Sequence, residues 1–129
     1  MAEFLEVEDV LLMHADQVAR YGGEHGVRDL GLLESAVAQP RATFGGQLLH
    51  DDLIEMAAAY LFHLVQNHPF FDGNKRAGLV AALAFLDLND VELEVAPGEL
   101  HDLTLRAATG RAGKPEIAAF LRERVVARG

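Results

Sequence analysis

From Ala77 to Leu88 the chain is almost wholly apolar, interrupted only by Gly78 and Asp87. The run is too short to span a bilayer, which takes about 20 residues of helix. Leu79, Val80, Leu83, Phe85 and Leu86 fall all round a helical circumference, so a helix here has to be covered by protein on most sides. The spacing predicts a helix from about 73 to 89 as the buried centre of the fold, and the remaining sequence must supply its cover.

That cover reads as further helices. Val7 to Arg20 has apolar residues near a helical period (Val7, Val10, Leu11, Met13 or His14, Val18), and Tyr21-Gly22-Gly23 stops it. Glu24 to Arg28 is a glycine-bearing loop. Asp29 can cap a helix over Leu30 to Ala38, which Pro40 ends. Arg41 to His50, with Gly45-Gly46, reads as an irregular connector, placed to act as a flap over a protein substrate. Asp51 or Asp52 caps a helix from Leu53 to Asn67, and Pro69 breaks it. After the apolar helix, Val91 to Val95 alternates weakly, as an extended connector or short strand. Pro97 opens a fifth helix ending by Gly110. Lys114-Pro115-Glu116 starts a last one, Glu116 to Ala127. The expectation is an all-α, compact single domain, 1–129, a bundle of about six helices.

Composition narrows the function. Half of the 129 residues are apolar and 24% are charged, which argues against disorder. There is no cysteine, so disulfides, thiolate metal sites and thiol nucleophiles are excluded together. The acidic start, Met1-Ala2-Glu3-Phe4, has no signal-peptide layout, so a cytoplasmic protein without membrane contact is expected. Formal net charge is -9, from 20 acidic against 11 basic residues, which disfavours direct nucleic-acid binding and suits a basic protein partner.

The chemistry concentrates just ahead of the apolar helix, in His68-Pro69-Phe70-Phe71-Asp72-Gly73-Asn74-Lys75-Arg76. A polar loop opening onto a helix N-terminus offers free N–H groups and the positive dipole end to an anion. Cations are misplaced at that end of a helix, so Lys75 and Arg76 point to a phosphate guest. His68 is the candidate general base, against the commoner structural role of a lone histidine. Asp72 reads either as a helix N-cap or as a Mg²⁺ ligand completed by phosphate oxygens and water. Gly73 reads as a close-approach or a turn residue, and Asn74 as a local capping residue. Of Phe70 and Phe71, one should face the core and the other cover the loop. His63 reads as a packing residue. His14, His25, His50 and His101 show no ligand spacing, although His50-Asp51 and His101-Asp102 raise a metal-dependent phosphohydrolase as a weaker reading.

These residues resemble the Fic/Doc superfamily, whose hallmark is His-x-Phe-x-(Asp/Asn)-(Gly/Ala)-Asn followed by Gly-Arg or Lys-Arg. His68, Phe70, Asp72, Gly73, Asn74 and Arg76 fall in register. Adenylyltransferases of the superfamily carry glycine where Lys75 stands and a second arginine where Leu79 stands, so the chain is closer to the death-on-curing (Doc) toxins. Arg20 to Gly23, Asp29 to Pro40 and Ala107 to Gly110 extend the likeness over nearly the whole chain. The resemblance implies a toxin of a toxin–antitoxin pair that moves the γ-phosphate of ATP to a hydroxyl of elongation factor Tu. It makes His68 the base, Asp72 the Mg²⁺ ligand, and Gly73, Asn74, Lys75 and Arg76 the anion-binding segment. Lys75 would fill the space a nucleotide phosphate takes in adenylyltransferases and so reverse the nucleotide. Adenylylation by the same site and a catalytically idle antitoxin-binding member are the alternatives. Many Fic proteins restrain themselves through Ser/Thr-x-x-x-Glu. Here Ser35, Thr43, Thr104 and Thr109 meet Gln39, Gln47, Ala108 and Gly113, so restraint is expected from an antitoxin whose C-terminal segment folds on the toxin. No basic residue stands just before His68, at Gln66 or Asn67.

Overall fold

Helix α1 spans Val7–Tyr21 and α2 spans Leu30–Ala38, followed by a 3-10 turn at Gln39–Arg41. Strands β1 (Thr43–Phe44) and β2 (Gln47–Leu48) lead into α3 (Leu53–Asn67) and α4 (Asn74–Leu88). Strand β3 (Val91–Leu93), α5 (Glu99–Ala108), α6 (Lys114–Arg122) and β4 (Val125–Arg128) complete the computed structural model, which describes residues 2–50 and 52–128. The architecture is therefore helical, as the sequence predicts. The two antiparallel strand pairs, β1 with β2 and β3 with β4, are short.

Helices α3 and α4 make the central pair, and α1, α2, α5 and α6 cover them. Of the two, α3 is the more deeply buried, with Ile54, Met56 to Leu61, Leu64 and Val65 inside; on α4 Leu79, Val80 and Leu83 stay half-covered. The two axes approach closely because Gly78 has no side chain. A Cβ there would lie 2.9 Å from Val65 Cγ2 and 3.2 Å from Leu61 O, an overlap worth about 1–3 kcal/mol of strain. At the other end of α4, Asn89 exchanges hydrogen bonds with the backbone of Glu3 and so closes the N-terminus over the core. The buried Tyr60 hydroxyl accepts from Leu5 N–H at 2.9 Å nearby.

Two segments depart from the sequence reading. The Arg41–His50 connector is a hairpin rather than irregular chain: Gly45 and Gly46 both take positive φ (61° and 80°), the geometry of a two-residue turn whose twist matches its strands. The last helix does not run to Ala127. It ends at Arg122, and the chain turns to pair β4 with β3. Arg124 holds that turn, with Nε and Nη2 on the Glu99 carboxylate at 2.9 and 3.0 Å and the guanidinium 3.5 Å over the Phe120 ring. Asp52, not only a candidate, is the cap of α3, accepting from Glu55 N–H; Asp51 lies outside the described residues.

His63 is half-buried, with Nε2 3.1 Å from Lys114 Nζ, which also lies 3.4 Å from His50 Nε2. Burial, then the Lys114 charge and His50, push the His63 imidazole down from 6.5 to about 4. The fold holds a neutral ring that the unfolded chain protonates more readily. Its contribution is complete above pH 6.5 and is lost as pH falls from there through about 4. His63→Gln should flatten the acid limb of stability in that window, read from urea midpoints at a series of pH values. An unaltered slope would remove His63 as its source.

Candidate functional site

The motif begins where α3 stops. Pro69 lacks the N–H a helix needs, and His68 takes left-handed backbone at φ 51°, ψ 52°. The His68 ring is exposed, and its Nδ1 lies 3.0 Å from Val65 O. A carbonyl only accepts, so Nδ1 carries the proton and Nε2 keeps its lone pair. That is the tautomer a general base requires at Nε2.

The loop is clamped on one side by the segment after α1. Residues 26–29 run antiparallel to it: Arg28 N–H and Asp29 N–H donate to Pro69 O, Phe71 N–H donates to Gly26 O, and Val27 bridges Phe70. Pro69 and Phe71 point their backbone groups that way, so Phe70 points the opposite way, towards Asn74. Phe70 N–H donates to Asn74 Oδ1 at 2.9 Å and Asn74 Nδ2 donates back to Phe70 O at 3.0 Å. The Asn74 side chain is thus buried and tied to the loop itself at both its oxygen and its nitrogen, and its backbone N–H faces the cleft end of the helix as a group available to a ligand.

Phe70 is the core-facing phenylalanine and Phe71 the exposed one. Beneath Phe70 lies His14 of α1, its ring parallel at 3.7 Å between centroids and only 3° apart. His14 Nε2 donates to Asp72 O at 2.7 Å. Its position on the apolar face of α1 was the single sequence signal, and it gave no hint of a tie to Asp72.

Asp72 stands one residue before the cap of α4, which is Gly73 in left-handed backbone at φ 78°. Its Oδ1 accepts from Gly73 N–H at 2.8 Å and its Oδ2 from Glu24 N–H at 3.2 Å. Those two hydrogen bonds, Glu24 first, and then the charges of Arg76 and His14, hold the carboxyl below the usual range. The approach of the Gly23–Glu24 segment depends on Gly23, where φ is 121° and a Cβ would sit 2.8 Å from Asp72 Oδ2. In the sequence Gly23 is marked as a helix stop and as part of the family likeness, and neither signals its contact with Asp72.

Asp72 is an exposed, ionised oxygen donor with lone pairs to spare, which fits a hard cation such as Mg²⁺. Among the described residues no three His, Cys, Asp or Glu side chains converge on one point. The donor set therefore fits an ion brought in on phosphate oxygens, and it does not favour the metal-dependent phosphohydrolase reading.

The two cations differ. Arg76 turns back to the C-terminal end of α1, with Nη2 on Gly22 O at 3.0 Å and Nη1 on Gln17 O at 3.5 Å. Its apparent misplacement at the start of α4 is resolved by the negative end of α1. Lys75 is exposed and among the described residues has no hydrogen-bond or ion-pair partner. The first intrahelical bond of α4 is Ala77 N–H to Gly73 O, so among the described residues the N–H groups of Asn74, Lys75 and Arg76 donate to no backbone partner. All six site residues expected from the sequence line one cleft of about 190 Å³, together with Phe71. Two larger hollows lie around Glu99, at about 430 and 400 Å³; Glu94 and Glu123 make the first a poor anion site, and in the second Arg106 and Arg111 stand beside Glu99 and Asp102.

Among the described residues, no helix is long and apolar enough to cross a membrane. Residues 4–86 match the model of the Fic/DOC family. The chain is 43% identical over 123 residues to the protein Toxin Doc of Mycolicibacterium smegmatis, spanning 94% of this chain and 92% of that one. It is 37% identical over 115 residues to Protein kinase doc of Escherichia phage P1, spanning 89% of this chain and 90% of that one. With the site residues gathered in one cleft, the family model covering most of the chain and two relatives aligned along nearly their full length, the chain belongs to the Fic/DOC family.

Proposed function

We propose that the protein is the toxin of a toxin–antitoxin module and transfers the γ-phosphate of ATP to a hydroxyl of elongation factor Tu, which stops translation. The observation that carries this reading is Lys75: an exposed ammonium, without a partner among the described residues, on the first turn of α4 beside the cleft that His68 also lines. A lysine there occupies room a nucleotide phosphate would need and offers a charge to a phosphate lying further out. The name of the phage relative, Protein kinase doc, supports phosphotransfer over nucleotide transfer.

In this reading the backbone N–H groups of Asn74 to Arg76 and the Lys75 ammonium hold the phosphates. Asp72 would hold the Mg²⁺ that accompanies ATP, which would offset charge on the phosphate oxygens. His68 Nε2 takes the proton of the acceptor hydroxyl as its oxygen bonds to the γ-phosphorus. The bond from that phosphorus to the bridging oxygen breaks, and ADP leaves with the electron pair. The β1–β2 hairpin, with Phe44 and Leu48 exposed, serves as the flap that lies along the protein substrate. Control comes from a cognate antitoxin whose C-terminal segment folds on this surface.

The test is transfer to purified elongation factor Tu with Mg²⁺ and ATP labelled separately on the γ- or α-phosphate. Label arriving from the γ-position alone is expected. Arrival from the α-position would make the protein an adenylyltransferase despite Lys75. Arrival from neither, in whole lysate as well, would leave an idle antitoxin-binding member.

A further inference from the structure

Three consecutive carbonyl oxygens surround the peptide units of the candidate base, and one residue takes all three. Arg28 Nη2 donates to Asn67 O at 3.0 Å, Arg28 Nε donates to His68 O at 2.7 Å, and Arg28 N–H donates to Pro69 O at 2.7 Å. Asn67 O is the last carbonyl of α3 and His68 O that of its cap; the helix itself leaves both without donors, and they lie at its negative end. The third anchors the arginine's own backbone, so the guanidinium is delivered to the helix end by the strand-like pairing of Val27 with Phe70. The planar fork of arginine spans two neighbouring oxygens that a single ammonium cannot reach together.

The held segment is an uncomfortable one. His68 has left-handed backbone, which side chains with a Cβ adopt at a cost, and it does so immediately before proline. In that conformation the ring folds back to donate Nδ1–H to Val65 O. Backbone twist, ring orientation and tautomer are therefore one linked unit. No helical periodicity or motif spacing in the sequence connects position 28 with position 68.

We infer that Arg28 is a positioning residue for the base: it fixes the left-handed turn at His68, and through it the Nδ1–H tautomer that leaves Nε2 free to accept a proton. The inference rests on the proposed role of His68, but the ring state can be read without any turnover. Arg28 is exposed and lies outside the hydrophobic core, so its replacement should leave the fold standing.

Long-range ¹⁵N–¹H spectra of the His68 ring, recorded where it is neutral, should show one tautomer, Nδ1–H, in the parent protein. Arg28→Ala should give a mixture of tautomers. In the labelled-ATP assay kcat should fall about 10- to 100-fold, as misplacement of a catalytic group does, with KM for ATP changed less than about twofold. Arg28→Lys, which can still reach one carbonyl, should recover part of both, whereas Arg28→Gln should recover less. A His68 ring that stays wholly Nδ1–H in Arg28→Ala and Arg28→Gln overturns the inference, whether or not transfer is detected. So does a mixed ring with kcat unchanged, or a loss confined to KM. If the parent protein transfers no phosphate, the proposed function fails separately and the ring spectra alone decide on Arg28.

Discussion

His68→Ala is expected to lower the rate of phosphoryl transfer by about two to four orders of magnitude, the span a positioned general base supplies. The size follows from what the ring does in the structure. It is exposed, it lines the cleft, and its one hydrogen bond, to Val65 O, settles the tautomer rather than the fold. Removing it deletes the proton acceptor and almost nothing else, so ATP affinity should be nearly retained and kcat should carry the loss. His68→Gln sharpens the test, because an amide can fill the space and donate to Val65 O but cannot take a proton. Both variants should fail alike in transfer, and both should bind the nucleotide. Turnover unchanged in His68→Ala would sink the base assignment, and the residual reaction would have to be credited to orientation and charge alone.

The contiguous half of the site was legible because it is local. A helix N-terminus gathers consecutive residues, so a string from His68 to Arg76 becomes one cleft wherever the helix begins, and Pro69 and Gly73 mark that beginning. The other half is topological. His14 meets Asp72 across 58 residues and Arg28 meets His68 across 40, and each pairing exists only because α1 and the segment after it pack against the motif. Nothing in the local pattern of α1 or of Glu24 to Arg28 distinguishes a residue that ties down the site from one that merely packs. The cationic pair shows the same limit in reverse. Electrostatic misfit at the start of α4 is a sound reason to look for an anion, and it stands for Lys75; for Arg76 the structure adds a protein-borne answer, the carbonyls ending α1.

Secondary structure divides along the same line. Capping aspartates at 29 and 52, glycines at 22 and 23, and prolines at 40 and 69 are punctuation that acts within a turn or two, and they placed the first four helices closely. The C-terminal stretch has no such mark between Arg122 and Val125, and its apolar residues continue at an acceptable helical spacing. What ends α6 there is distant: β3 offers an open edge to Val125 and its neighbours, and Glu99 waits for Arg124. An extended reading of Val91 to Val95 held half of that information, but a strand without a partner does not say which segment will become one. The hairpin after α2 is the converse case, since Gly45-Gly46 between short runs is itself a turn signal.

Asn74→Ala should then be the most destabilising change at a polar residue of the motif. Phe70 is buried, and both of its backbone groups depend on the Asn74 amide. Leaving a buried donor and a buried acceptor without partners costs about 1–3 kcal/mol for each, so a loss of about 2–6 kcal/mol in chemical denaturation is expected. Phosphoryl transfer should fall as well, because Phe70 is the residue on which His14 stacks and from which Asp72 is reached. Lys75→Ala makes the comparison informative. Its side chain is exposed and has no partner among the described residues, so stability should stay within about 0.5 kcal/mol while ATP binding weakens. Neighbouring residues of one motif would thus separate cleanly, one shaping the loop and the other meeting the ligand. Asn74→Asp probes the same point with less disturbance: the carboxylate still accepts from Phe70 N–H but no longer donates to Phe70 O, and an intermediate stability is expected. Equal stability of Asn74→Ala and the parent would mean that the loop finds other partners for Phe70, and that its geometry is set from the α1 side instead.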